Sequence, residues 1–283
     1  MTPGPSGEPA PLDLQAEVRR AAHALAHPGQ PGGSPGATSD LSVDEALLLH
    51  SVGWEVADLV CGVSVYSVPV GVWSWGQGEI GAASAAHRAA FQGAAARLAA
   101  EGARAGGHGV VGVRVGVEVR PHSIHVELVG TAARPAGPAR PGRPFVSDLS
   151  GRDFALLLRA GWMPVGLAFG ASFVYAPRRS AATVLAQKAQ NVELTNLTNA
   201  MYSARESAMA RMQESALDMG GQGVVAVTVT EGPMGFARHA VGFSAWGTVV
   251  RLEASSHRTL APRVVVPLDD PVVTFEAEAL RGS

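Results

Sequence analysis

The order of apolar and polar positions predicts the same series of elements twice along the chain. Each series opens with a short helix, which Ser42 and Glu45 begin as a capping box and which Ser150 and Asp153 begin in a weaker form of the same motif. β-Branched apolar runs then predict three strands per series, at 56–66, 109–120 and 124–133, and again at 165–175, 223–230 and 240–251. A long helical stretch separates the first two strands of each series, at about 80–105 and about 182–219.

A ten-residue motif follows each long helix. It reads GGHGVVGVRV from Gly106 and GGQGVVAVTV from Gly220. Glycine directly after a helix adopts the left-handed conformation at little cost, and the valine-rich run behind it favours a strand. We therefore expect a positive φ at Gly106 or Gly107, and at Gly220 or Gly221.

Two further matches occur in the same order along the chain. One pairs Trp54 with Trp162, within residues that are 108 positions apart, and the other pairs His122 with His239, 117 positions apart. The motif above is repeated after 114 positions, so small insertions in the second copy explain the drift. Three colinear matches predict a tandem duplication of one domain.

Segments rich in Pro and Gly divide the chain into five parts. We predict a mobile N-terminal tail, a first repeat, a linker, a second repeat and a C-terminal tail, at 1–40, 41–134, 135–144, 145–260 and 261–283.

Composition excludes several classes of protein. The formal net charge of −2 gives no reason to expect a nucleic-acid partner. The single cysteine, Cys61, excludes an internal disulfide framework and a multi-cysteine zinc site. The chain has neither a run of apolar residues long enough for a membrane span nor a basic and apolar targeting segment at its start, so we expect a cytoplasmic protein.

The second half resembles the YbjQ-like family of small bacterial proteins, which are described as heavy-metal-binding domains. The residues that carry the resemblance are Ala204-Arg205-Glu206, Gly220, Val224-Val225 and Gly247-Thr248. The first half keeps Gly106, Val110-Val111-Gly112 and Gly130-Thr131-Ala132, but has Ala90-Phe91-Gln92 in place of the Ala-Arg-Glu.

This resemblance implies an α+β fold made of two tandem β-α-β-β two-layer domains, similar to a dodecin-like sandwich. It also implies a homo-oligomeric ring. The family supplies no ligand motif that can be transferred residue by residue, and two copies in one chain leave the ring stoichiometry open.

The long second helix is the predicted interaction surface. At about 1.5 Å per residue, a helix over 182–219 is longer than a small domain can cover. We therefore expect it to contact another subunit or a partner protein, through candidates that include Leu197, Met201, Tyr202, Arg205 and Met212.

Metal binding remains an alternative. His122 and His125 form the one close histidine pair in a strand context, and His239 corresponds to His122 in the second copy. Residues i and i+3 of a strand point to opposite faces, so a divalent metal ion would need a turn here or ligands from several subunits. The residues name no cofactor beyond this alternative.

No catalytic motif is recognisable in the sequence. A GQGEIG stretch ending at Gly81 matches a dinucleotide fingerprint, but the elements after it form a hairpin and lack parallel βαβ units. We therefore predict a non-enzymatic oligomeric assembly or binding protein. A metal-binding protein is the first alternative, and an enzyme with an active site between subunits is the second.

Overall fold

The computed structural model describes residues 37–69, 71–72, 78–137, 142–176, 194–233, 237 and 239–258. The fold is α+β. In chain order its elements are α1 (Val43–Ser51), β1 (Trp54–Ser67), β2 (Gly78–Glu79), α2 (Gly81–Arg104), β3 (Gly109–Val119), β4 (Ser123–Pro135), β5 (Phe145–Val146), α3 (Gly151–Arg159), β6 (Trp162–Tyr175), α4 (Thr195–Asp218), β7 (Gly223–Pro233) and β8 (Ala240–Leu252).

The strands form two four-stranded sheets. The first has the order β1-β4-β3-β5 and the second has the order β2-β6-β8-β7. The long strands pair antiparallel, β2 pairs antiparallel with β6, and β5 pairs parallel with β3. The sequence did not predict these two short strands. Because β2 lies before α2 and β5 lies before α3, each sheet receives a short strand from the other half of the chain.

The two sheets carry irregularities at corresponding positions. The register shifts between Val56 and Asp58 in β1, and between Pro164 and Gly166 in β6. The register also shifts between Val111 and Arg114 in β3, and between Val225 and Thr228 in β7. A bulge bends a strand and increases its twist, so these sites give both sheets the same curvature.

A glycine in each first strand lets the long helix approach the sheet. A Cβ on Gly62 would lie 2.3 Å from the carbonyl oxygen of Ala94 in α2, and one on Gly170 would lie 2.0 Å from the carbonyl oxygen of Ala208 in α4. Neither position has room for a side chain. The helix–sheet distance in both halves is therefore fixed by a missing side chain.

The glycines after the two long helices have the predicted conformation. Gly106 has a φ of 76° and Gly220 has a φ of 71°. Their neighbours Gly107 and Gly221 pack closely instead, because a Cβ there would meet Ala132 at 3.0 Å and Val249 at 2.1 Å respectively. The first glycine ends the helix and the second allows the close packing that follows.

The largest core lies between the sheets and contains α2. It combines residues of α2 such as Phe91 with Val126 and Leu128 of the first sheet and Phe169 and Phe173 of the second. By contrast, among the described elements α4 packs on its own sheet alone, where Met212 contacts Ala168 and Ala245. The first long helix is thus covered on two sides and the second on one.

The short helices α1 and α3 pack against each other. The Ser42 amide donates to Glu45 Oε2 at 2.9 Å, which confirms the predicted capping box, and the Gly151 amide donates to Glu45 Oε1 at 3.1 Å. In α3 the Asp153 amide donates to Ser150 Oγ at 3.1 Å. Glu45 therefore caps its own helix and also the start of the corresponding helix in the other half.

Several predicted segments fall outside the described residues. These are almost all of the N-terminal tail, all of the C-terminal tail, the middle of the linker, and the first part of the predicted helix at 182–219. The described part of that helix begins at Thr195.

Candidate assembly surface

Within the part of the chain that the structure describes, an apolar stripe on the edge strand β1 is left uncovered. Inward-facing residues of β1 pack on α2, whereas Leu59, Val63 and Val65 on the other face are 37%, 46% and 57% exposed. Cys61 lies between them and is partly exposed. Three large β-branched or aliphatic side chains in a row on a sheet edge form a surface typical of protein contacts.

Backbone and charge contacts surround this stripe. Arg97 of α2 donates to the Val63 carbonyl oxygen at 2.7 Å, and the Cys61 amide donates to Glu101 Oε2 at 3.2 Å. Desolvation, followed by the charges of Glu127 and Glu101, raises the pKa of the Cys61 thiol. The thiol is therefore protonated at neutral pH and is not an activated nucleophile.

The predicted interface residues of α4 separate into two groups. Tyr202 is 59% exposed and Arg205 is also exposed, whereas Leu197 and Met201 are half-buried against the core of their own half. The prediction that Met212 is an interface residue is corrected, because its side chain is 2% exposed and packs with Ala168 and Ala245. Met212 follows Ala204 and Ala208 at intervals of four residues, so it belongs to the buried face of the helix.

Two more exposed apolar residues lie at the edge of the second sheet. Val227 and Val229 of β7 are each 41% exposed, and β7 is an edge strand of the second sheet. The sequence predicts only that Val227 and Val229 belong to a strand. Their exposure depends on which face of β7 another element covers, and the alternation of the strand does not specify that.

Two matching serine–aspartate–threonine networks support the sheets. Thr131 Oγ1 donates to Asp40 Oδ1 at 2.6 Å and lies 3.1 Å from Ser39 Oγ. Thr248 Oγ1 donates to Asp148 Oδ1 at 2.6 Å and lies 2.9 Å from Ser147 Oγ. Burial raises the pKa of Asp148, and the hydrogen bond from Thr248 opposes that rise. The Asp40 and Asp148 amides also donate to the threonine hydroxyls, so each network holds the loop before its short helix in place.

The sequence contained the signal for these networks. The tetrapeptide SDLS occurs at 39–42 and again at 147–150, and the threonines belong to the matched Gly-Thr pairs at 130–131 and 247–248. The threonines are part of the predicted repeats, whereas Ser39 and Asp40 lie in the predicted tail, so the repeat of SDLS is not part of the prediction.

Of the candidate histidines, His122 and His239 lie at hairpin turns and His125 lies in β4. The His122 carbonyl accepts from the Val68 amide at 2.9 Å, and the His239 carbonyl accepts from the Ala176 amide at 2.7 Å. His125 Nε2 lies 2.9 Å from Ser123 Oγ. Within the described ranges, no group of three or more His, Cys, Asp or Glu side chains is placed to hold a metal ion.

The partial dinucleotide fingerprint forms a strand. Gly78 and Glu79 form β2, where Glu79 pairs with Val174 of β6. The Glu79 carboxylate binds Arg211 of α4, with Nη2 and Oε2 2.9 Å apart, and this ion pair lowers the pKa of Glu79. The described end of the motif therefore joins the two halves.

Two cavities lie near α2. One has a volume of about 500 Å³ and is lined by Arg88 and Arg143 together with mainly apolar side chains. The other, of about 300 Å³, is lined by His87, Glu231 and Trp246 among others. Burial lowers the pKa of His87 to about 4, and neither ring nitrogen has a hydrogen-bond partner among the described residues. The neutral ring packs as an apolar side chain between the sheets.

Comparison with known proteins identifies the family. The chain is 39% identical over 245 residues to "Encapsulin nanocompartment protein Rv1762c" of Mycobacterium tuberculosis, and the match covers 82% of this chain and 92% of that protein. This chain belongs to the same family as the mycobacterial protein. Residues 178–253 also match the YbjQ_1 family model, described as "Putative heavy-metal-binding", which supports the resemblance of the second half. No solved structure matches the chain.

The donor set does not fit the heavy-metal description of that family model. The matched residues 178–253 contain no cysteine and one histidine, His239. His239 lies at an exposed turn, and the described residues bring no further set of ligands to it. Many soft metals prefer thiolate or imidazole ligands, and His239 is the one donor of these two types in the segment. None of the described helices is both long and apolar enough to cross a bilayer.

Proposed function

We propose that this chain is a non-enzymatic assembly protein whose copies associate with one another in the cytoplasm. The observation that carries the proposal is the uncovered apolar stripe of Leu59, Val63 and Val65 on β1. The mycobacterial relative is named as a protein of an encapsulin nanocompartment, which agrees with a role in assembly.

The position of the stripe explains why self-association is favourable. An edge strand presents unpaired backbone groups, and natural proteins protect such edges with charges, prolines or covering elements. Along the stripe β1 has apolar side chains on its outer face and neither a proline nor a lysine. Burial of apolar surface contributes about 25 cal/mol per Å², so covering the stripe stabilises an oligomer.

We also propose that the chain is a tandem duplication, with repeats at 41–134 and 145–260. The matching bulges, the close helix approaches at Gly62 and Gly170, and the two serine–aspartate–threonine networks support this proposal. Ser39 and Asp40 contact the first repeat as Ser147 and Asp148 contact the second. The first repeat therefore begins slightly before residue 41.

The oligomeric state tests the proposed function. Light scattering of the purified full chain at micromolar concentration is expected to give a mass well above the 29.1 kDa of one chain. A Val63→Asp, Val65→Asp double variant places two charges on the stripe and is expected to reduce that mass. Val43→Asp on α1 is the matched control, because Val43 is 80% exposed and lies away from the stripe. A wild-type chain that is a monodisperse monomer contradicts the proposal.

A further inference from the structure

Helix α2 of the first half packs on strand β6 of the second half. The Phe91 ring of α2 stacks on Phe169 of β6 with centroids 4.0 Å apart. His87 lies 5.0 Å from Phe169 and 5.6 Å from Phe173, and Ser84 Oγ accepts from the Phe173 amide at 3.1 Å. The outer face of the second sheet is buried by this helix.

The strand positions that are buried in this contact correspond to the exposed stripe. Leu167, Phe169, Ala171 and Phe173 lie 108 positions after Leu59, Cys61, Val63 and Val65. The correspondence holds in three dimensions, because β1 pairs with β4 in the register in which β6 pairs with β8, with the bulges at equivalent positions. The same face is therefore covered in the second sheet, whereas no described residue covers it in the first.

The helix positions correspond in the same way. Met201 and Arg205 of α4 lie 114 positions after His87 and Phe91, and Ala208 contacts Gly170 as Ala94 contacts Gly62. His87 and Phe91 are buried, whereas Arg205 is exposed. The face of α4 that corresponds to the covering face of α2 is thus exposed at Arg205 and partly exposed at Met201.

A third pair of positions agrees with the first two. Val113 and Val115 of β3 pack against the core that joins the sheets, and Val113 is 4% exposed. The corresponding residues of β7 are Val227 and Val229, which are each 41% exposed. Two sets of exposed apolar residues, on β1 and on β7, and the exposed Arg205 of α4 therefore correspond to residues that the internal contact buries.

We propose that successive copies of this chain associate head to tail through a repeat of this internal contact. In this arrangement α4 of one copy packs on the outer face of β1 in the next copy, as α2 packs on β6 within each chain. The inference rests on the proposed function, because it names the partner and the two surfaces of the assembly.

Charge complementarity supports the pairing of these surfaces. In the repeated contact Arg205 takes the place of Phe91, and Cys61 takes the place of Phe169. Glu127 faces Val63 across β1 and β4, and it contributes to the raised pKa of the Cys61 thiol, so its carboxylate is close to that point. Arg205 and Glu127 have no ion pair among the described residues. The assembly would replace a ring stack by a guanidinium–carboxylate pair.

The contact uses two different surfaces of each chain. Such a heterologous contact leaves one free surface at each end of a dimer and continues until a ring closes. A two-fold contact, by contrast, ends at the dimer. The two arrangements are distinguished by what a cross-link across the contact produces.

Charge reversal tests the pairing in the full chain. Glu127→Arg and Arg205→Glu are each expected to shift the light-scattering mass to that of the monomer, and the double variant is expected to restore the assembly. Glu214→Arg is the matched control, because Glu214 corresponds to Ala100, which is exposed in the internal contact. If neither single variant changes an assembly that the wild type forms, this interface is wrong and the proposed function stands.

Cross-linking provides a test that does not depend on the stability of the charge variants. Arg205→Cys places a second thiol opposite the native Cys61 of the next copy, and mild oxidation is expected to give a ladder of disulfide-linked trimers and larger species on a non-reducing gel. Glu214→Cys is expected to give no ladder. Cross-linking that ends at a dimer overturns the head-to-tail contact, and a wild-type chain that is monomeric overturns both this inference and the proposed function.

Discussion

Gly112 and Ala226 occupy the same bulge in the two sheets, and both have a left-handed backbone. Gly112 has a φ of 65° and Ala226 has a φ of 53°, and each lies where its strand shifts register against the neighbouring strand. Glycine adopts this conformation without cost, whereas a Cβ is strained in it by roughly 1–2 kcal/mol. The second half therefore carries a strain that the first half avoids.

Replacing the strained alanine is expected to stabilise the protein. Ala226→Gly removes the strain but gives the unfolded chain more freedom, so the net gain in the free energy of unfolding is on the order of 0.5–1 kcal/mol. Denaturant titration measures it. Gly112→Ala is the reverse change and is expected to destabilise, because its Cβ would also lie 3.0 Å from Leu41 Cδ2. A loss of stability in Ala226→Gly would show that the bulge tolerates a side chain.

The close approach of helix and sheet predicts a large cost for one methyl group. Gly170→Ala places a Cβ within 2.5 Å of the Met212 amide nitrogen and still closer to the Ala208 carbonyl oxygen. Backbone cannot move aside as a side chain can, so we expect a loss on the order of 3 kcal/mol. Gly62→Ala is expected to behave alike in the first half. Gly232→Ala is the control, since nothing lies within 4 Å of its Cβ position. Equal melting temperatures for Gly170→Ala and the control would contradict this packing.

Burial of His87 predicts acid sensitivity. Burial lowers the pKa of His87 from 6.5 to about 4, so between these values the unfolded chain binds a proton that the folded chain excludes. Stability is therefore retained above the unfolded pKa and is lost as the pH falls toward 4, by up to on the order of 3 kcal/mol.

The His87→Met variant isolates this effect, because it removes the titratable imidazole ring. Methionine is chosen because it is the residue at the corresponding position of α4. Unfolding free energies measured between about pH 7 and pH 5 are expected to fall less steeply in the variant than in the wild type. Glu231 lines the same cavity and is unchanged in both proteins. Parallel pH profiles would mean that the His87 ring reaches solvent.

The buried threonines predict matched losses in the two halves. Thr248→Val keeps the shape of the side chain but removes the hydroxyl that serves Ser147 and Asp148, so we expect a loss of about 1–3 kcal/mol. Thr131→Val is expected to cost a similar amount through Ser39 and Asp40. Thr248→Ser keeps the hydroxyl and should lose less in thermal unfolding. A serine variant as unstable as the valine variant would assign the role of Thr248 to its methyl group.

Local sequence determined the elements and their order. The motif after each long helix specified where the helix stops, because only glycine accepts the left-handed backbone of Gly106 and Gly220 cheaply. The capping residues Ser42 and Glu45 specified the start of α1 in the same local way. The matched segments also paired Trp54 with Trp162, and these residues begin β1 and β6, slightly before the predicted strand starts at 56 and 165.

Only the tertiary structure decided which faces are covered. β1 and β6 have apolar residues on both faces, and periodicity alone predicts that both faces of both strands are buried. In the folded chain α2 lies between the two sheets, so Phe169 is buried while the corresponding Cys61 remains partly exposed. The contact joins residues far apart in the sequence, and its occurrence depends on how the two halves dock. That docking, which no local pattern encodes, leaves the β1 stripe and the outer face of α4 without a cover within the described chain.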